Sequence, residues 1–566
     1  MNNLAFSDKL VFVIYFLVVA SYGYWVYRRK KKEVTDTHDF FLAEGSLTWW
    51  AIGASLIASN ISAEQFIGMS GEGFFVGAAV AVYEWIGAAT LIIIAVWFIP
   101  IYLKNKIYTM PQFLKTRYNE TVALIMAIFW LFLYVFVNFT SILYLGALAI
   151  NGLLGGGYLH IVMIVLMGMA LIITLGGMKV IGFTDVIQVA VLIIGGFATV
   201  YMALEIVDHR INGATMGSAL TGFKTLLAQA PEHFKMILPK PDNSDRSALG
   251  QLARDKYLVL PGIAMYFIGQ WIVNLNYWGC NQYITQRALG AKLETARKGI
   301  LFAALIKLFM PIIVMLPGIA AFVLYQHGQL PGFSGAKDGA YSAILAFLPS
   351  GLKGLAIAAL TAAIVASLAG KANSISTIFT LDVYKKYIKK DASEKNMVIT
   401  GRLTIVIAMI IAIIFTWQDL LGIGGAGGFT FIQKYTGFIS PGVFAMFILG
   451  FFWKRTTANA ALVGMILGFL LAIFFNSYAV NLFGSETIMY SAFLNNKGVY
   501  EIPFLINMGW SFVITVATMV VISLSGPKVN PNSFDIDRAM FKVSPSTIVL
   551  IFTILMLLSA LYIKFW

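Results

Sequence analysis

Runs of apolar residues long enough to cross a lipid bilayer recur from one end of this chain to the other. A helix needs about 20 such residues to span the hydrocarbon core, because each residue advances it by only about 1.5 Å. The runs lie near 10–27, 48–70, 74–102, 121–150, 159–177, 181–207, 257–279, 299–326, 351–380, 397–417, 429–452, 457–480, 502–525 and 546–566. They predict an all-α polytopic membrane protein with about fourteen transmembrane helices.

Of the 566 residues, 59% are hydrophobic and only 12% are charged. A soluble chain of this length would divide into several domains, each with its own charged surface, and these charges are too few for that. A net charge of +14 could suit nucleic acid, but Lys and Arg sit in short clusters between the apolar runs. That is the positive-inside pattern, so the expected partner is the bilayer and not nucleic acid.

The cluster Arg28, Arg29, Lys30, Lys31 and Lys32 follows the first apolar run instead of preceding it, unlike a cleavable signal peptide. It places the N-terminus outside. The cytoplasmic loops then hold Lys104, Lys106, Lys115 and Arg117, then Lys179, then Arg287, Lys292, Arg297 and Lys298. They continue with Lys385, Lys386, Lys389 and Lys390, with Lys454 and Arg455, and with Lys528, Arg538 and Lys542. The short opposite loops 151–158 and 418–428 carry no Lys or Arg. An even number of spans puts both termini outside a bacterial-type inner membrane. The single cysteine, Cys280, excludes an intrachain disulfide. The five histidines (His38, His160, His209, His233 and His327) are scattered with no ligand spacing, so neither a zinc-type site nor an organic cofactor is expected.

Two spans are interrupted by polar residues. The second carries Ser59, Asn60, Ser62, Glu64 and Gln65; the seventh carries Gly269, Gln270, Asn274, Asn276 and Gly279 through Gln282. Such residues are costly in lipid unless they line a cavity. Five spans begin at each interruption, which points to an inverted-repeat transporter. The expected division is an extra helix and basic loop (1–47), a first five-helix repeat (48–207), an external loop (208–256), a second repeat (257–452) and three C-terminal helices (453–566). A kink with Ser and Asn bonded to backbone is the plainer reading of either break alone.

Several polar residues fall near mid-bilayer depth: Gln65, Glu84, Asn138, Asn274 and Lys307, with Gln433 early in its span after the glycine-rich stretch Gly422–Gly428. A charge there costs about 2.5 kcal/mol or more, so each needs a partner or water. Glu84 and Lys307 could form a structural ion pair. The functional reading is a pocket of amides, a carboxylate and an ammonium, which suits the hydroxyls of a sugar or polyol. Tyr83, Tyr277, Trp278 and Phe429 could stack on a pyranose, although single aromatics more often serve packing.

The residues also carry a likeness. The segment Gly53 to Met69 resembles the first core helix of the sodium/solute symporter family. Tyr108-Thr-Met-Pro-Gln-Phe113, Phe183-Thr-Asp-Val-Ile-Gln188, Asn276-Tyr-Trp-Gly-Cys-Asn-Gln282 and Tyr435-Thr-Gly-Phe-Ile-Ser-Pro-Gly442 are similar to it as well. The likeness runs from about residue 8 to the last span. It implies a leucine-transporter-like 5+5 core with one extra helix before it and three after, and sodium-coupled import of a galactose- or glucose-like sugar. It implies that Gln65, Glu84, Asn138, Asn274, Lys307 and Gln433 bind the sugar, and that Tyr277 is the inner gate beside Trp278. Met69, Tyr83 and Phe429 would form the outer gate.

The resemblance also implies a sodium site on the carbonyls of Ala58, Ile61 and Ala363, completed by two adjacent hydroxyls. Here that pair reads Ala366-Ser367, so only Ser367 remains. Asp185 falls on the implied cation path. Lys371 lies four residues after Ser367, hence on the same helix face. On depth, the favoured reading is that it snorkels into an inner vestibule; the alternative is that its charge helps release sodium or stands in for it. Gly87 and Asn276 depart from the galactose-transporting pattern, so inositol-like polyols also fit, and proton coupling stays open. An enzyme would need acid–base carboxylates in a water-facing site. A sensor would need a signalling module, and the last span ends at Trp566. A continuous pore suits two interrupted helices less well than an occluded site does.

Overall fold

The computed structural model describes residues 5–30, 47–154, 156–175, 178–421, 423 and 428–566. The remaining basic-loop residues 31–46 and most of the glycine-rich stretch 422–427 lie outside the described residues, as does His38.

The chain is mostly helical. Among the described residues ten helices are long and apolar enough to cross a membrane, or twelve if each of two bent pairs is one span. The bent pairs are Ala248–Phe267 with Gly269–Gly279, at 84°, and Phe429–Gly437 with Ser440–Phe452, at 53°. Two further apolar segments stand outside that set for physical reasons. Leu159–Thr174 has 16 residues, about 24 Å of helix, short of a full hydrocarbon core. The segment from Trp49 to Phe75 is broken, with an α-helix over Trp49–Asn60, extended backbone at Ile61, a π-helical turn over Glu64–Met69 and a last α-helical stretch over Ser70–Phe75.

The first break therefore falls where the polar residues put it. The second polar stretch is broken at its two ends and not in its middle. The chain bends at Ile268, just before Gly269, and the helix Gly269–Gly279 stops at Cys280 before the next begins at Gln282, while Asn274 and Asn276 lie within continuous helix. Pro261 ends the preceding helix Ala248–Val259, since proline disfavours helical backbone at the residue before it and has no N–H to donate. The polar segment 208–256 carries helices of its own at Ala219–Gln229 and Ala248–Val259. A small antiparallel hairpin pairs Phe493–Leu494 with Tyr500–Glu501, an element that span-by-span hydropathy does not contain.

The described chain forms two compact units, each discontinuous in sequence: Met1–Val80, Ala127–Phe234 and Gln286–Ile432 in the first, and Ala81–Met126, Lys235–Thr285 and Gln433–Trp566 in the second. In the first unit, the helices Trp49–Asn60 and Leu293–Val314 meet through glycine. A Cβ on Gly53 would lie 2.7 Å from the Gly299 carbonyl and 2.6 Å from the Phe302 ring. With little hydrophobic drive between helices in lipid, such close approach supplies the packing. Asp8 on the first helix accepts hydrogen bonds from the amides of Gly351 (2.7 Å) and Gly354 (2.9 Å), capping the N-terminus of Leu352–Thr377.

In the second unit, Arg117 plays the mirror role. Its guanidinium donates to the carbonyls of Gly450, Trp453 and Thr456 at 2.8–3.0 Å, at the C-terminal end of Ser440–Phe452. The sequence places Arg117 among solvated loop cations; it is fully buried instead, as are Arg287 and Arg297 in the first unit.

Gly53→Leu should lower stability by about 1–3 kcal/mol, since backbone faces the new side chain. Thermal unfolding in detergent checks this against Gly168→Ala, where nothing lies within 4 Å of the added Cβ and no loss is expected.

Candidate cation and substrate sites

The break in the Trp49–Phe75 segment organises the first unit. Ile61 is the last residue whose N–H bonds back into the helix, to Ile57. The next amide, Ser62 N–H, turns instead to the side-chain oxygen of Gln65 at 3.0 Å, which also accepts from the Ser62 hydroxyl at 3.1 Å. The carbonyls from Ala58 onward thus end a helix that no following turn caps. One of them is taken: the Ser367 hydroxyl donates to the Ser59 carbonyl at 3.1 Å, which ties Leu352–Thr377 to the break. Ala363 lies one turn before Ser367 on that helix. The structure thus brings the Ser367 hydroxyl to the helix end that carries Ala58 and Ile61. Oxygen donors of this kind suit a hard monovalent cation.

Lys371 does not snorkel. Its side chain is 2% exposed and its ammonium donates to the Ser367 hydroxyl at 3.3 Å. Asp185 is fully buried and has two partners. The Ser55 hydroxyl donates to it at 2.5 Å, and the Arg287 guanidinium lies 3.5 Å from the same carboxylate oxygen. Arg287 also donates to the Ser55 carbonyl (3.0 Å) and hydroxyl (2.8 Å). A Cβ on Gly370 would stand 2.5 Å from the Arg287 guanidinium, so any larger residue there would push on that cation where it crosses the helix. Ser55, Asp185 and Arg287 form one ion-pair network beside the candidate cation site.

Of the six predicted sugar-binding residues, Gln65, Asn138 and Lys307 belong to the first unit and Glu84, Asn274 and Gln433 to the second. Gln65 spends its oxygen on the break, so it has its amide N–H2 to offer a ligand. Lys307 donates to the Asn60 side chain at 2.7 Å, at the end of the broken helix. Asn138 is buried on the π-helical turn Leu133–Phe139. In the second unit, Asn274 donates to the Gln270 carbonyl at 3.0 Å and Asn276 to the Ser440 hydroxyl at 3.0 Å. Glu84 is buried near the start of Val82–Ile93, and Gln433 is partly buried on Gly428–Gly437.

Tyr277 meets Trp278 and Tyr283 edge to face, at ring separations of 5.2 and 5.7 Å. Phe429 packs on Gly68, next to Met69 in the first unit, while Tyr83 belongs to the second. Sequence reasoning missed Ser55 and the buried role of Arg287, and it placed Asn60 and Ser62 at the break without their partners Lys307 and Gln65. Arg287 offered no signal, because a basic residue beside Lys292 and Arg297 reads as a loop charge wherever the span boundary is uncertain.

The pattern that represents the sodium:solute symporter family matches residues 40–468. The chain belongs to this family. It is 41% identical to the sodium/glucose cotransporter of Vibrio parahaemolyticus, over all of this chain and 99% of that protein. It is 33% identical to the sodium/myo-inositol cotransporter 2 of Mus musculus, over 82% of this chain and 69% of that one. Among solved structures, a Na+-coupled sialic acid symporter in a substrate-bound outward-open state superposes with TM-score 0.75 at 21% identity, covering 93% of this chain and 99% of the other. That likeness establishes a shared fold.

The buried Arg287–Asp185 pair predicts an asymmetric mutational response. Arg287→Met leaves a buried carboxylate without its counter-charge and should cost about 3–5 kcal/mol, whereas the Arg287→Met, Asp185→Asn double variant should recover most of that loss. Thermal unfolding of the two purified variants checks it.

Proposed function

We propose that this chain is a sodium-coupled secondary active symporter that imports a glucose- or galactose-like sugar by alternating access. The observation that carries the reading is full-length similarity to a sodium/glucose cotransporter, joined to a helix break whose carbonyl end is met by a buried hydroxyl. The chain is a multi-pass membrane protein. In this reading the broken Trp49–Phe75 segment and the short Leu159–Thr174 join the ten long helices and two bent pairs as fourteen spans. The proposed arrangement has both termini outside, by the distribution of basic loops, and a 5+5 core.

In this reading sodium is co-transported cargo held by the Ala58, Ile61 and Ala363 carbonyls and the Ser367 hydroxyl. The sugar hydroxyls meet Gln65, Glu84, Asn138, Asn274, Lys307 and Gln433. Tyr277 with Trp278 closes the inner side; Met69, Tyr83 and Phe429 close the outer. Sodium at the break and Lys307 on Asn60 act on the same helix end. Cation binding can therefore favour the break geometry that completes the sugar site, which is a population shift driven by differential contacts. Asp185, paired with Arg287, lines the cation path.

A polyol substrate is the second reading. It is favoured by similarity to a sodium/myo-inositol cotransporter and by Asn276, whose amide is bonded to Ser440 beside the gate tyrosine.

Uptake of labelled glucose, galactose and myo-inositol into proteoliposomes, with a sodium gradient, a proton gradient or none, tests both readings. Sodium-driven accumulation of one of the three is expected; accumulation driven only by the proton gradient contradicts sodium coupling, and uptake indifferent to both gradients contradicts symport. Asn274→Ala should raise the KM for the transported solute by about tenfold, the loss of one well-made polar contact.

A further inference from the structure

Lys371 and Ser367 share one turn of the Leu352–Thr377 helix, and their contact has a consequence for sodium. The Ser367 hydroxyl has one proton and two lone pairs. The proton is committed to the Ser59 carbonyl, and a lone pair receives the Lys371 ammonium at 3.3 Å. Ala366 beside it contributes no side-chain oxygen. To ligate sodium, Ser367 must offer the ion its remaining lone pair or the one that Lys371 holds. The ion would then lie close to an ammonium that is 2% exposed, where like charges are poorly screened.

Two other charges act on Lys371: the Glu64 carboxylate attracts it and the Arg287 guanidinium repels it. Glu64 opens the π-helical turn directly after the break, and its Oε1 is buried with no hydrogen-bond partner. A carboxylate oxygen in that setting has acceptor capacity to spare for an ammonium. Arg287 is already engaged by Ser55 and Asp185, so it fixes the repulsive side.

We propose that Lys371 is a tethered cation that competes with sodium for the Ser367 hydroxyl and thereby sets a low sodium affinity, with Glu64 as the counter-charge that receives the ammonium when sodium enters. This rests on the sodium-symport reading. The ion and the ammonium exclude one another electrostatically, so the lysine also speeds sodium departure.

The test uses the full-length protein in two assays: the sodium concentration giving half-maximal sugar uptake in proteoliposomes, and the sodium-dependent rise in Tm in detergent. Lys371→Met and Lys371→Gln should each lower the half-maximal sodium concentration by about tenfold, in both assays. Lys371→Arg, which keeps the charge, should stay within about twofold of the parent, and Glu64→Gln should raise the value. The inference is overturned if Met and Gln variants that remain monodisperse keep the parent's sodium response. Should the parent protein show no sodium response in either assay, the symport reading itself fails, a result distinct from an unchanged variant.

Discussion

Everything in the first unit turns on a helix that stops inside the apolar part of the chain. A helix end exposes carbonyls that need donors or cations, and in lipid there is no water to supply them. Here the amide that would begin the next turn, on Ser62, is diverted to Gln65, so the carbonyls from Ala58 onward face outward from the helix end. Ser367 reaches the Ser59 carbonyl and Lys307 reaches the Asn60 side chain. Two other helices are thereby fastened to one break, and any ligand that binds there acts on all three.

The same need for satisfied helix ends explains where several charges go. Asp8 caps the start of Leu352–Thr377, and Arg117 collects the carbonyls at the end of Ser440–Phe452. These are fully buried uses of charge, affordable because each group meets fixed dipoles of the opposite sign. The Ser55–Asp185–Arg287 network follows the same logic with an added counter-ion.

The spans were legible because length and hydrophobicity are one-dimensional properties, and the break at Ile61 was legible because Ser59, Asn60 and Ser62 compete for backbone within an apolar run. The second polar stretch was legible at its ends, where Gly269 follows the bend at Ile268 and Gly279 through Gln282 holds a helix break, but not in its middle. Asn274 and Asn276 look like interrupters, yet they sit on continuous helix by bonding Gln270 and Ser440. Lys371 and Arg287 show the deeper limit. Whether a cation lies in solvent or against a buried partner depends on which helix crosses it, and sequence spacing carries no record of that. The Phe493–Glu501 hairpin escaped for a related reason, since its strands are two residues long and hydropathy windows average over them. The sugar-binding set was named by depth and resemblance; the structure adds local partners for Gln65, Lys307 and Asn274.

Coupling requires that sodium and sugar each favour the same form of the broken helix, so each must tighten the other by the same factor. Lys371 acts on the sodium side of that balance, and Lys307 with Asn60 on the sugar side. The most direct measurement is therefore the affinity of the purified protein for its sugar in sodium buffer and in choline buffer of equal ionic strength. The account predicts at least tenfold tighter binding in sodium, a coupling of about 1.4 kcal/mol. Equal affinity in the two buffers would contradict it.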